Sequence, residues 1–86
     1  MSNTPPITLY NKPGCPWCID AIAYLKRLGF QFEIVDVIAD RDAFREMQEL
    51  SGQTCAPTMT VGDLVLADFD TDELQVFLDK HEITAE

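Results

Sequence analysis

The chain is 86 residues long, 47% apolar and 24% charged, with a formal net charge of −9; that length and balance describe one folded domain and argue against a disordered chain. The acidic excess argues against nucleic-acid binding, which needs a basic stripe, and no apolar run approaches the ~18 residues of a membrane-spanning helix. Three cysteines are an odd set for a secreted disulfide scaffold.

Residues 1–6 have neither a basic start nor an apolar run, so no signal peptide is expected and the cysteines are read in a reducing cytoplasm. Ile7-Thr8-Leu9-Tyr10 alternates like a short strand, and Asn11-Lys12-Pro13-Gly14 is turn chemistry that stops it. Pro16 opens a helix, since a first-turn position needs no N–H. Its apolar face runs through Cys18, Ala21, Ile22, Leu25 and Leu28, and Gly29 ends it. Phe30 to Ile38, rich in aromatic and β-branched residues, reads as a second strand. The first half is therefore a strand–helix–strand unit with parallel strands.

Asp40 is an N-cap for a second helix with Ala43, Phe44, Met47 and Leu50 on one face and Gly52 just past its end. Thr58–Val61 and Leu64–Ala67 flank Gly62-Asp63 as a hairpin. Asp70 and Glu73 cap a last helix whose inward face is Leu74, Phe77 and Leu78, while Lys80 and His81 suit its negative end. The predicted fold class is α/β: βαβ followed by ββα, with a four-stranded mixed sheet flanked by three helices. One domain over 1–86 is expected, with flexible ends at 1–6 and 84–86.

The charge is uneven. Residues 1–30 balance at +2 and residues 31–86 at −11, so the Cys15 and Cys18 pair lies in the positive part. The acids of the second part read as a solvated face.

Cys15-Pro16-Trp17-Cys18 sits where the first strand turns into its helix. Cys15 falls at the N-cap, whose side chain receives N–H groups from the first turn. A thiolate there is stabilised by those donors, by the positive end of the helix dipole and by Lys12 three residues earlier. The thiolate is the species that attacks a disulfide, so Cys15 is expected to be the nucleophile. Cys18, one turn in and on the core side, is expected to resolve the mixed disulfide. Two other readings of the pair stay open: half of a zinc site, with only Cys55 and His81 left as further ligands, and two buried small hydrophobes. With no second pair at ligand spacing, redox chemistry is favoured and no metal is expected.

Lys12-x-x-Cys15-Pro16-Trp17-Cys18, on the first strand–helix turn of a βαβ–ββα chain, resembles a dithiol glutaredoxin of the thioredoxin fold, with Trp17 at the usual tyrosine position. The likeness runs from Ile7 to about Leu78. Gln53-Thr54-Cys55-Ala56-Pro57-Thr58 resembles the family's Thr-Val-Pro segment, whose proline is cis and faces the active-site cysteines. The resemblance implies a glutathione groove. In it Lys12 and Gln53 hold the glycyl carboxylate, Trp17 forms a wall, and Ala56 and Pro57 lie beside the cysteinyl backbone. Asp70 and Thr71 mark the helix start that takes the γ-glutamyl end. Cys55 replaces the family's threonine and is either a plain substitution or a third redox thiol. The family's glycine pair before the last helix is Ala67-Asp68 here, which restricts the backbone and adds negative charge beside a dianionic peptide.

The function this implies is glutathione-dependent thiol–disulfide exchange. Cys15 attacks a glutathionylated or disulfide-bonded protein, and a second glutathione or Cys18 releases the product. No bound cofactor is expected, glutathione being a co-substrate, and the protein is expected to be a cytoplasmic monomer without nucleic-acid or membrane partners. Two rivals remain. One is a thioredoxin-like electron donor to protein disulfides, which the lost glycine pair favours. The other is a binding module holding an iron–sulfur cluster through Cys15 and glutathione; Pro16 counts against it, since such family members tend to lack a proline there.

Overall fold

Alternation along the first strand decides the layering. In β1 (Ile7–Asn11), Ile7 and Leu9 are buried on one face and Tyr10 on the other, so helices must cover both sides. The computed structural model describes residues 6–85, and β1 lies at the centre of its sheet. Leu9 stands opposite Ile34 of the parallel β2 (Glu33–Asp36) and opposite Met59 of the antiparallel β3 (Thr58–Val61). The hairpin pairs β3 with β4 (Leu64–Ala67), Val61 facing Leu64 across Gly62-Asp63. The order β2-β1-β3-β4 is the expected four-stranded mixed sheet.

Helices α1 (Pro16–Arg27) and α3 (Thr71–Lys80) share the face of Ile7 and Leu9. Leu9, Leu25, Met59 and Leu74 meet there fully buried, each burial contributing about 1.5–3 kcal/mol. The Tyr24 hydroxyl donates to Gln75 and ties the two helices together. Helix α2 (Arg41–Ser51) covers the opposite face, packing Ala43 and Met47 against Tyr10 and Val37. It starts on Asp40, whose Oδ1 accepts the Ala43 N–H at 3.1 Å, and it stops at Gly52, whose φ of 72° is the left-handed ending that glycine adopts freely.

Two apolar positions depart from the sequence expectation. Leu50, expected on the buried face of α2 with Ala43 and Met47, lies one residue before the helix ends and is 47% exposed. Leu28, expected on the face of α1, is the C-cap residue and is also exposed. Strand β2 is shorter than the 30–38 run. Phe30 is already core before the strand begins, and the chain leaves the sheet where Asp36 Oδ1 accepts the N–H groups of Ile38 and Ala39. Of the ends expected to be flexible, residues 1–5 and 86 lie outside the described residues. Pro6 O accepts from Gly62, Ile83 is buried with its N–H on Leu78 O, and Ala85 packs on the core. Among the described residues no helix is long and apolar enough to cross a membrane.

Candidate functional site

The turn after β1 presents one cysteine and hides the other. Gly14, at φ 83°, reverses the chain, the Cys15 N–H closes a turn on Lys12 O at 3.2 Å, and Pro16 starts α1. Cys15 takes the N-cap with extended backbone angles, and its Sγ accepts the Cys18 N–H at 3.4 Å. That is the donor the sequence placed there. Cys15 is half-buried, whereas Cys18 is fully buried on the inner side of α1 with Ala21 and Leu25, and both are free thiols. Burial pushes the Cys18 thiol up from 9.0 to about 11; the Lys12 main chain and charge act against that, and the bond to Cys15 and its charge add to it. The two sulfurs of one motif therefore have opposite environments.

The second wall is the segment between α2 and β3. The Ala56–Pro57 bond is cis, and the Cys15 thiol lies 3.9 Å from Ala56 O. Pro57 is buried and Cys55 exposed. Lys12 reaches across to this segment: its Nζ donates to Thr54 O at 2.9 Å and stands 5.7 Å over the Phe44 ring. The Gln53 amide, expected to be open to a ligand, is turned into its own loop. Its Nε2 donates to Ser51 Oγ, Cys55 O and Thr58 Oγ1, each at 3.1 Å, and its Oε1 accepts the Cys55 N–H. The sequence reading does not single out Ser51 and takes Thr58 only as a strand residue and the end of the proline segment, although two hydroxyl residues bracketing a glutamine are the signal that finds them as its partners.

The third wall comes from the end of the hairpin. Asp68 N–H donates to Pro57 O at 2.9 Å, which brings this residue to the proline turn. Its φ is 52°, the left-handed region in which a side chain is disfavoured and glycine is not. Phe69 is buried, and Asp70 caps α3 by accepting the Glu73 N–H at 2.8 Å. Thr71, half-buried at the helix start, lines a shallow polar depression of about 250 Å³ with Asp20, Tyr24 and Arg27. Trp17 is 53% exposed and Ile19 58% exposed, an apolar rim on the first turns beside Cys15. His81 lies at the far end of α3, its ring 4.7 Å from that of Phe77. Among the described residues no three His, Cys, Asp or Glu side chains are grouped as a metal cage.

The arrangement matches known proteins along most of its length. The family model for glutaredoxin matches residues 7–66. The glutaredoxin of Neisseria meningitidis is 36% identical over 64 residues, 73% of this chain and 75% of that one. A glutaredoxin-like 8.6 kDa protein of the rubredoxin operon of Clostridium pasteurianum is 31% identical over 74 residues, 86% of this chain and 99% of its own. Among solved structures, the glutaredoxin-like NrdH-redoxin of Escherichia coli, described as having a thioredoxin-like activity profile, superposes with a TM-score of 0.69 at 27% identity, covering 81% of this chain and 91% of that one.

Proposed function

The chain belongs to the glutaredoxin family of thioredoxin-fold redox proteins, and from that premise we propose that it reduces disulfides with Cys15 as nucleophile, Cys18 as resolving thiol and glutathione as reductant. The observation that carries the dithiol reading is the asymmetry of the pair: Cys15 at the helix N-cap with a backbone donor, Cys18 buried and held as a thiol. Cys15 thiolate attacks one sulfur of the substrate disulfide, and the other sulfur leaves as a thiolate. Cys18 then gives up its proton and attacks Cys15 Sγ. The substrate leaves with both sulfurs reduced, and the protein is left with a Cys15–Cys18 disulfide. Two glutathione molecules return it to the dithiol as they become one glutathione disulfide. The substrate chain would lie along Ala56 and Pro57, with Trp17 as one wall and the start of α3 at Asp70 and Thr71 as the other.

The test is Cys18→Ser, with turnover measured on a glutathionylated peptide and on a protein disulfide. Retained activity on the peptide with loss on the protein disulfide is the expected result. Loss of both in a folded variant overturns the glutathione reading.

A second reading, an electron donor that is itself reduced by a protein reductase, has its own support. Lys12 Nζ is already on Thr54 O, and Asp68 stands where the family has a glycine. Turnover with a thioredoxin reductase system and none with glutathione would establish it.

A further inference from the structure

Gln53 makes more side-chain hydrogen bonds than the sequence resemblance has use for, and all of them are internal. We infer that Gln53 is a positioning residue: its amide holds the Cys55–Thr58 turn, and through it the Ala56 carbonyl, in register with Cys15, and it is not a hold for a substrate carboxylate. The inference rests on Cys15 being the nucleophile.

The amide nitrogen has two hydrogens and three acceptors, Ser51 Oγ, Cys55 O and Thr58 Oγ1, all at 3.1 Å, so no donor is left for a ligand. The amide oxygen takes the Cys55 N–H, so both main-chain groups of Cys55 are held by one side chain. The acceptors are themselves anchored. Ser51 Oγ donates to Met47 O at 2.6 Å, the last turn of α2. Thr58 is fully buried, donates to Cys55 O at 2.9 Å and pairs with Tyr10 at the end of β1. One side chain therefore joins the end of α2, the proline turn and the strand next to the one that delivers Cys15. Ala56 O, the next carbonyl after the clamped residue, is the group 3.9 Å from Cys15 Sγ.

Disulfide attack needs the incoming sulfur aligned with the bond it breaks, and a turn that wanders lowers the rate of the bound state rather than its affinity. A residue that grips a carboxylate has the opposite signature: its loss raises the half-saturating glutathione concentration with kcat kept.

The experiment compares Gln53→Ala and Gln53→Glu in the full chain. Glutamate can still accept the Cys55 N–H when a donor faces it, but it supplies none of the three donated bonds. The deciding readout is single-turnover reduction of a protein disulfide by the pre-reduced protein, which needs no glutathione. The maximal rate is expected to fall about tenfold or more in both variants, with the substrate concentration at half-maximum within about twofold of wild type. A wild-type maximal rate in both variants overturns the inference, as does an effect confined to the half-saturating glutathione concentration, larger for glutamate because of charge repulsion. Should Gln53→Ala not fold, Gln53→Glu and the exchange rate of the Cys55 amide hydrogen in the wild type decide: protection comparable to the β3 amides is expected, and free exchange overturns the clamp. A wild-type protein that reduces no disulfide would overturn the dithiol reading instead, so the two failures are distinct.

Discussion

A helix N-cap can serve a thiol as it serves a serine, and at Cys15 it gives two cysteines three residues apart different surroundings, one half-buried with a backbone donor and one fully buried. Iodoacetamide at neutral pH is expected to label Cys15 first, exposed Cys55 more slowly and Cys18 last, Cys18 reacting only as the pH approaches about 11. Peptide mapping checks the order, and Cys18 labelling first would reverse the roles. Asp68 is the other residue with a decidable part. At φ 52° its side chain costs about 1 kcal/mol that glycine does not, and its main-chain N–H is bonded to the proline turn at Pro57 O. For two like charges ~6 Å apart in water the repulsion is about 0.7 kcal/mol, or roughly threefold in affinity. Asp68→Gly is therefore expected to lower the half-saturating glutathione concentration about threefold at low salt, with the difference narrowing at high salt. Steady-state turnover at two ionic strengths measures it, and equal curves would place the carboxylate away from the substrate.

At the scale of elements, each helix begins with a side chain that occupies otherwise unpaired N–H groups: Cys15 for α1, Asp40 for α2 and Asp70 for α3. The Asp40 cap lies well along the chain from both cysteines, so its loss should touch stability alone. Asp40→Ala is expected to cost about 1 kcal/mol, a fall of about 4–8 °C in Tm, with Cys15 alkylation unchanged. Thermal unfolding followed by circular dichroism, run beside the alkylation rate, checks both parts. A changed alkylation rate would mean that α2 is coupled to the site through more than the Gln53 clamp.

For the whole molecule, the two cores on either side of the sheet each hold a titrating group that burial keeps neutral. Cys18 keeps its proton to about pH 11 when folded and ionises near 9 when unfolded. Its contribution to stability is therefore complete below pH 9 and is lost as the pH rises towards 11. Tyr10, buried and donating to Glu46 at 2.6 Å, is shifted upward by that burial and by Glu46, so it adds a loss in the same direction at higher pH. Tm is expected to fall steeply above pH 9, and less steeply in Cys18→Ala. Unfolding curves of wild type and variant from pH 7 to 11 measure this, and parallel falls would remove Cys18 as a cause.

What the sequence by itself determined was local. The order of elements, the capping aspartates, the hairpin turn and the Cys15–Cys18 pair each depend on residues within about one turn or one strand, and periodicity and turn chemistry report such short-range preferences directly. What only the tertiary structure decided was partnership. Lys12 finds Thr54 O across 42 residues, Asp68 takes a positive φ while its N–H bonds to Pro57 O, and Leu50 near the end of α2 is exposed although it shares the spacing of the buried Ala43 and Met47. Gln53 is the clearest case. Its type and position suit a ligand, yet its hydrogen bonds go to Ser51, Cys55 and Thr58, because the fold of the chain from the end of α2 into β3 brings those groups within reach of its amide.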